Sequence, residues 1–305
     1  MGIRVDSCFD GCGINYQALK NQGIAVDRYY ASEIDPFAIK ISKKNHLDII
    51  QLGDITKQDI LPRNIDLMVA GSPCQGFSFA GKGLNFNDPR SKLFFTWVKR
   101  LKKIKPKYFL FENVKMKKEH QNVISEYLGV EPIEINSGIH APAVRKRLYW
   151  TNIPIGNIEK KDICLQDILE DGFFTDREKS HCLDANYWKG GNLKSYFEKH
   201  RRQLCFSSDG LCHVGEADLK GIESLKRVYH PSGKAPTLTT MGGGHREPKI
   251  AIDNLTWRKL TPLECERCMM LPDGYTKGVS NTQRYKMLGN GFNCFTIEQL
   301  LKGIK

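Results

Sequence analysis

Cys74 stands where a reactive thiol would be useful. It lies in the segment GSPCQGFS, residues 71–78, which begins as the apolar run IDLMVAG ends. Pro73 stiffens the backbone directly before the cysteine, and Gly71 and Gly76 allow tight bends on either side. A structural cysteine would normally lie inside the apolar run, whereas this one lies past its end. The segment therefore predicts a thiol presented at the rim of a sheet and available for chemistry, with an unreactive loop thiol as the alternative.

Charged side chains with suitable spacing follow in two later segments. Glu112 and Asn113 end the apolar run KYFLFEN, and Arg145 and Arg147 alternate in RKRLYW. Alternate residues of an extended segment point to the same side, so the two guanidinium groups should lie together. If the strands before Cys74 and Glu112 are neighbours, a thiol, a carboxyl group and two guanidinium groups converge. Taken singly, each charged residue is equally compatible with an ordinary solvated surface.

The segment FDGCG near the start of the chain indicates a small-ligand site. Gly11 and Gly13 fit a tight turn from a strand into a helix. Glu33 ends the next strand twenty residues after Gly13, a spacing typical of a carboxylate that binds ribose hydroxyls. Tyr16 replaces the third glycine of a dinucleotide-binding fingerprint, which favours a nucleoside cofactor without phosphates. Asp54 of GDIT would accept a hydrogen bond from the exocyclic amine of this nucleoside. The alternative interpretation is that these residues are ordinary turn glycines and surface carboxylates.

The elements that must position these side chains follow an α/β pattern. Strand-like and helix-like segments alternate from IRVDSCF through GINYQALKNQG, RYYASEI and PFAIKISKKN to IDLMVAG. This alternation predicts a parallel sheet with right-handed crossovers. Residues 91–105 predict an amphipathic helix whose basic face includes Lys99, Arg100 and Lys103. The segment RLYWTNI, residues 147–153, is predicted to close the sheet.

The alternation stops near Ile155. Beyond it the chain is polar, aromatic and glycine-rich, which predicts a smaller, irregular or β-rich domain. The apolar periodicity of GNGFNCFTIEQLLKGI predicts that the last helix returns to the first domain. We therefore expect a large domain formed by residues 1–155 plus 280–305 and a smaller one formed by residues 156–279.

Composition limits the partners and the compartment. The chain has 46 Lys and Arg against 34 Asp and Glu, and this formal net charge of +12 suits a polyanionic partner, nucleic acid above all. No apolar run approaches the roughly 18 residues of a membrane span, so a cytoplasmic protein is expected. The ten cysteines are then expected to be reduced thiols. Cys265 and Cys268 have zinc-like spacing but no matching second pair, so no metal site is predicted.

The order of these motifs closely resembles that of one family. FDGCG, EID, GDIT, GSPCQGFS, ENV, RKR, LTPLECERCMMLPDGY and a late GN follow one another as in the cytosine-5 DNA methyltransferases of bacteria and phages. SCFDG and ASEID are also similar to the eukaryotic de novo members. The match spans nearly the whole chain apart from a variable stretch. The resemblance implies a Rossmann-like sheet that binds S-adenosylmethionine, a small target-recognition domain, and double-stranded DNA in the cleft between them.

The resemblance also implies a role for each motif residue. Cys74 would add to carbon 6 of a cytosine swung out of the duplex, so that carbon 5 attacks the sulfonium methyl group. Glu112 would hold or protonate ring nitrogen 3, and Arg145 and Arg147 would steady the carbonyl oxygen and the nearby backbone and favour the thiolate. The implied cofactor-binding residues are Phe9, Gly11, Gly13, Glu33, Ile34, Asp54, Ile55, Pro73, Leu93 and Asn290. The implied substrate-binding residues are Ser78, Asn113, Thr237 and Leu238.

Two positions depart from the family pattern, and they affect fine contacts of the site rather than its chemistry. Ala143 stands where the family usually has Gln, and Gly291 stands where Ser usually follows Gly-Asn. The resemblance implies a monomer in a prokaryotic or phage-infected cell, with restriction-modification as one setting. The alternatives are a cytosine-5 methyltransferase acting on transfer RNA and a sequence-specific DNA-binding protein with an inactive site.

Overall fold

The chain folds around a central, mostly parallel sheet. The computed structural model describes residues 2–58, 61–71, 92–170, 173–189, 193–207, 213–216, 227–229, 249–250 and 257–304. Seven strands form the sheet: β1 (Ile3–Cys8), β2 (Val26–Ser32), β3 (Ile49–Gln51), β4 (Leu67–Gly71), β5 (Tyr108–Val114), β6 (Ile133–Asn136) and β7 (Lys146–Thr151). Their order is β3-β2-β1-β4-β5-β7-β6, and β3, β2, β1, β4 and β5 pair in parallel. The predicted α/β class is confirmed.

One edge of the sheet differs from the prediction. The segment expected to close the sheet is β7, which lies second from the edge and runs antiparallel to both β5 and β6. The edge strand is β6, which sequence reasoning missed because it is short and only Ile135 in it is buried. Residues 137–145 join β6 to β7 without a crossover α-helix, so β7 must reverse direction.

Helices cover both faces of the sheet and create two hydrophobic clusters. One face carries α1 (Ile14–Asn21) and α2 (Pro36–Asn45), and the other carries α3 (Lys92–Ile104) and α4 (Lys118–Leu128). Successive residues of β4 alternate between the clusters: Leu67 and Val69 pack with the first, and Met68 and Ala70 with the second. A strand buried on both faces must be apolar at every position, which explains the unbroken apolar run that precedes the Cys74 segment.

The basic face predicted for α3 needs one correction, at Arg100. Phe94, Trp97 and Val98 are buried as expected, but Arg100 is buried as well, with its side chain 3% exposed. Its Nε donates to Asp6 Oδ2 at 2.6 Å and its Nη2 to Asp6 Oδ1 at 2.8 Å. Asp6 is a buried carboxyl group of β1, and this partner draws the guanidinium inward.

Beyond the large sheet, the chain forms short strands, as expected from its composition. These elements are β8 (Phe173–Phe174), α5 (Leu193–Lys199), β9 (Leu204–Ser207), β10 (His213–Glu216), β11 (Arg227–Tyr229), β12 (Lys249–Ile250) and β13 (Trp257–Lys259). They make two three-stranded sheets, β13-β9-β8 and β10-β11-β12. Within the part of the chain that the structure describes, no helix is both long and apolar enough to cross a membrane.

Three helices at the end of the chain pack against the first cluster. They are α6 (Pro262–Cys268), α7 (Asn281–Asn290) and α8 (Cys294–Leu301). The last helix returns to α1, as predicted, and Asn21 Nδ2 donates to Glu298 Oε1 at 2.6 Å. Cys265 and Cys268 of α6 are buried in the same cluster as Leu19 of α1. The division into domains at residues 155 and 280 stays a prediction.

Candidate active site

A cavity of about 570 Å³ opens at the carboxyl ends of the parallel strands. The cavity is lined by residues from the turns after β1, β2 and β3, from the last residue of β4, from β5 and β7, and from α3 and α7. The lining includes most of the residues singled out from the sequence: Phe9, Gly11, Glu33, Ile34, Asp54, Ile55, Leu93, Glu112, Arg145, Arg147 and Asn290. Most of the implied cofactor-binding and catalytic residues that the structure describes therefore line one cavity.

Two residues singled out from the sequence do not line this cavity. Gly13 has φ +82°, and a Cβ there would lie 3.0 Å from the His46 ring, so this glycine lets α1 begin close to α2. Asn113 is 1% exposed and lies between Glu112 and Val114, whose side chains do line the cavity. Strand alternation turns the side chain of Asn113 to the opposite face of β5. Pro73, Cys74, Ser78, Thr237 and Leu238 lie outside the described residues.

An ion pair forms the wall of the cavity at the end of β5. Glu112 Oε1 lies 2.9 Å from Arg147 Nε, with side chains only 13% and 14% exposed. Glu112 pairs in register with Gly71, the last residue of β4. A Cβ at Gly71 would lie 2.7 Å from the Phe292 ring, so glycine is needed where this ring approaches the strand. The guanidinium of Arg147 compensates the burial of the carboxyl group and fixes its direction.

Arg145 holds together three parts of the chain beside that ion pair. Its Nη2 donates to Gly291 O at 2.6 Å and to Gly289 O at 3.2 Å, while Nη1 reaches Leu183 O at 3.5 Å. Burial, with the positive charge of Arg147 nearby, holds the pKa of Arg145 below its usual value. Its guanidinium therefore both shapes the wall of the cavity and adds positive charge to it.

The other half of the cavity is built on a carboxylate that joins two strand ends. Glu33 Oε2 accepts from Gly11 N at 2.8 Å, and Oε1 accepts from Ile34 N at 2.8 Å and Asp35 N at 2.9 Å. These bonds hold the turn after β1 against the turn after β2. The predicted proximity of Gly11 and Glu33 is therefore present in the fold.

The lining of this half fits a nucleoside cofactor such as S-adenosylmethionine. Gly11 and Gly53 both have positive φ and open space where a Cβ would stand, so a ligand can approach the backbone there. Ile34 is 72% exposed at the cavity, where an apolar side chain can cover a purine ring. Asp54 Oδ1 accepts from Thr56 N at 2.9 Å, which holds the pKa of Asp54 below its usual value and keeps a carboxylate at this edge.

Sequence reasoning missed several residues of the site. Asp10 lines the cavity although it is 2% exposed, and burial raises the pKa of its carboxyl group to about 7. Lys286 Nζ lies 2.8 Å from Asp35 Oδ2 and ties α7 to the turn after β2. Asp10 lies inside the FDGCG segment, of which only Phe9 and the two glycines were assigned to the site. Nothing in the sequence places Lys286 beside Asp35, because 251 residues separate them.

The cysteines of α6 are part of the core. Cys265 and Cys268 are 1% and 0% exposed, and burial holds the pKa of the Cys265 thiol well above its usual value. Among the described residues there is no group of three His, Cys, Asp or Glu side chains that could hold a metal ion. The short spacing of CERC follows from one turn of a buried helix.

Comparison with known proteins agrees with this geometry. The family model of the C-5 cytosine-specific DNA methylases matches residues 3–128 and 145–305. The orphan methyltransferase M.SPRI of Bacillus phage SPR is 36% identical over 98% of this chain and 97% of its own. The type II methyltransferase M.HhaI of Haemophilus parahaemolyticus is 29% identical over 95% of this chain and 90% of its own.

Solved structures share the fold across the whole chain. The Entamoeba histolytica methyltransferase EhMeth superposes with a TM-score of 0.67 at 18% identity, covering 100% of this chain and 99% of that chain. A Spodoptera frugiperda DNMT2 mutant superposes with a TM-score of 0.61 at 19% identity, covering 99% of each. With a family model that matches almost every residue, and with that family's motifs gathered around one cavity, this chain belongs to the C-5 cytosine-specific DNA methylases.

Proposed function

We propose that this chain methylates carbon 5 of a cytosine that is swung out of double-stranded DNA, through a covalent bond between Cys74 and carbon 6. Members of the family use S-adenosylmethionine, which supplies an electrophilic methyl group on a sulfonium sulfur. The observation that carries the proposal is the Glu112–Arg147 pair opposite Gly71 at the cavity. Cys74 follows Gly71 by only three residues in the sequence, and this short separation supports a thiol that acts beside the pair.

The proposed mechanism assigns a separate role to each catalytic residue. The Cys74 thiolate would form a bond to carbon 6, and the displaced π electrons would make carbon 5 the nucleophile that takes the methyl group. Glu112 would form a hydrogen bond to ring nitrogen 3 as negative charge develops on the ring. The ion pair with Arg147 fixes the orientation of the Glu112 carboxyl group. A base then takes the proton from carbon 5, and the electrons of that C–H bond re-form the double bond between carbons 5 and 6 as the carbon–sulfur bond breaks. This elimination restores the aromatic ring and releases the Cys74 thiolate.

The remaining residues would bind the cofactor and the DNA. Glu33 would accept from the ribose hydroxyls, and Asp54 and Ile55 would contact the adenine. Gly13 and Asn113 would act only through packing around the site, since neither lines the cavity. Ser78, Thr237 and Leu238 are proposed DNA contacts on the resemblance alone. The net charge of +12 supports contacts with DNA phosphates. A monomeric state and a separate recognition domain are proposed on the resemblance alone.

The proposal is tested by following transfer of a labelled methyl group from S-adenosylmethionine. We expect label in duplex DNA, a stable covalent adduct on duplex DNA containing 5-fluorocytosine, and neither product with Cys74→Ser. Cys164→Ser is the matched control, because this partly exposed cysteine does not line the cavity. Label in transfer RNA alone would establish the RNA methyltransferase instead. Tight DNA binding without label or adduct would establish an inactive DNA-binding protein.

A further inference from the structure

One strongly basic surface of the chain lies outside the cavity. Lys92, Lys99 and Lys103 of α3 are exposed, and the exposed Lys105 follows the last residue of this helix. Positions seven and four residues apart return to nearly the same side of an α-helix, so the first three side chains form a stripe along the outer face of α3. We call these four residues the lysine face.

Acidic side chains do not neutralise the lysine face. Residues 92–107 contain neither Asp nor Glu. No described carboxylate forms an ion pair with any of the four lysines. The next lysines of the chain are different, because each has an acidic partner: Lys115 pairs with Glu134, Lys117 with Glu119 and Lys118 with Glu131. The lysine face therefore presents its charge to the solvent.

The placement of these charges does not favour the helix itself. The amino end of a helix carries partial positive charge, so Lys92 at the first position of α3 is unfavourable, and no acidic residue of the first turn offsets it. Lys99 and Lys103 are four residues apart, a spacing at which like charges repel each other. Only Lys103 and Lys105 gain from the negative charge at the carboxyl end of the helix. Helix stability alone therefore does not explain the lysine face, whereas a bound polyanion would offset the repulsion.

The lysine face leads away from the cavity. Leu93, beside Lys92, lines the cavity. Lys105 lies three residues before β5 begins at Tyr108, and β5 reaches the cavity only near its other end, at Glu112. The 13 residues of α3 span about 20 Å. The lysine face therefore extends along the direction of the strands, from the cavity to the opposite edge of the sheet.

The phosphate groups of a nucleic acid fit this surface better than a protein does. Lysine is depleted at protein–protein interfaces, whose centres bury apolar and aromatic side chains. The position between Lys92 and Lys99 on this side of the helix is Thr96, which offers no apolar anchor. A row of ammonium groups instead suits the regular negative charge of a phosphate backbone, which releases its counterions on contact.

A straight duplex does not reach the whole lysine face from the cavity. The target base must enter at the ends of the strands, whereas the lysine face runs along the strands. Duplex DNA resists sharp bending over distances far below its persistence length of about 50 nm. A second segment of duplex can lie on the lysine face without such a bend.

We propose that the lysine face binds the phosphate backbone of a second segment of double-stranded DNA while the cavity holds the segment with the target cytosine. This inference rests on the proposed function for the choice of DNA as the polyanion, but it adds a binding surface that methyl transfer itself does not need. A chain that holds two segments can release one without leaving the DNA, because the remaining contact keeps the other segment at a high effective concentration.

Sedimentation velocity of the full chain with a short fluorescent duplex of A·T pairs tests the proposal. This duplex has no cytosine, so no covalent reaction interferes. At low salt we expect the wild-type chain to bind two duplexes, and the triple variant Lys99→Gln, Lys103→Gln, Lys105→Gln to bind one. The wild-type affinity for the second duplex should fall about 40-fold or more between 50 and 200 mM salt, as expected for three or more phosphate contacts.

A triple variant with the same change in net charge is the matched control. Lys115→Gln, Lys117→Gln and Lys118→Gln remove lysines that already have acidic partners, so this variant should still bind two duplexes. Thermal melts followed by circular dichroism check that both triple variants are folded.

Three results would overturn the proposal. One is a single duplex per wild-type chain or two duplexes on the lysine-face variant. Another is loss of the second duplex in the control variant, because the effect would then follow net charge rather than the lysine face. The third is a second site that transfer RNA occupies in preference to DNA, which would make RNA the partner of this surface.

Methyl transfer to DNA is measured separately, so this inference and the proposed function fail in different ways. A chain that labels DNA but binds only one duplex keeps its proposed function and lacks the second surface. A chain that binds two duplexes but gives neither label nor 5-fluorocytosine adduct has the second surface and lacks the proposed function.

Discussion

Replacing Arg100 with methionine should destabilise the chain strongly, and more so at neutral than at acidic pH. The Arg100–Asp6 pair is almost completely buried, with side chains 3% and 0% exposed, and two hydrogen bonds of 2.6 and 2.8 Å join its members. Removing one member of such a pair leaves a buried charge without compensation, at a cost of about 3–5 kcal/mol. Replacing both, in Asp6→Leu with Arg100→Met, should cost much less, because no charge is left behind.

The sign of the pH dependence follows from Asp6. Burial raises its pKa above the ordinary value, and the hydrogen bond and charge of Arg100 lower it again. A carboxyl group whose pKa is raised in the folded state lowers the free energy of unfolding of the protein as the pH rises above the pKa of the unfolded state, near 4. Without Arg100 the folded pKa rises further. The loss in Arg100→Met should therefore be largest near pH 8 and shrink towards pH 5.

Urea unfolding followed by circular dichroism, at both pH values, measures these differences. Arg4→Met is the matched control, because its salt bridge with Asp27 is between side chains 29% and 54% exposed and should contribute less than about 1 kcal/mol. A loss below 1 kcal/mol in Arg100→Met, or an equal loss at both pH values, would refute the reasoning. A double variant as unstable as Arg100→Met would also refute it, because removal of Asp6 would then bring no relief.

Three further predictions concern the cavity. Glu112→Gln should slow methyl transfer about 10²–10⁴-fold in single-turnover assays and leave cofactor affinity within about twofold, because only the reacting base contacts this group in the proposed mechanism. Glu33→Gln should weaken S-adenosylhomocysteine about tenfold in calorimetry without changing DNA binding in gel-shift assays; unchanged cofactor affinity would remove Glu33 from the site. Gly289→Ala would place a Cβ 2.3 Å from Asp184 C and should lower unfolding stability by about 1–3 kcal/mol, whereas Gly156→Ala, with open space, should have little effect in the same melts.

The sequence predicts the part of the fold that depends on local pattern. The apolar run of β4 is continuous because its residues pack alternately into two clusters. A buried strand of this kind can be predicted from the local sequence without knowing which strands lie beside it. The turn at Gly11 and the placement of Glu33 also follow from spacing along one strand–helix–strand unit. The position of the cavity at the ends of these strands could therefore be predicted from the sequence.

The rest depends on contacts between distant segments. Arg100 was placed on a solvated face because helical periodicity cannot show that Asp6, 94 residues away, is buried beside it. The edge strand β6 is short and mostly exposed, so it has no apolar signature. Asp10 was overlooked because its place in the site depends on its burial, and burial of an acidic residue cannot be predicted from residue type.

The cavity is closed by two segments from opposite ends of the chain. Residues 9–12 form one wall, and residues 286–292, held by Arg145 and by the docking of α8 on α1, form another. A polypeptide interrupted before residue 286 contains Glu33, Glu112 and Arg147 but cannot enclose a cofactor. A fragment that ends before residue 286 is therefore expected to transfer no methyl group, although it retains the acidic and basic residues of the other walls.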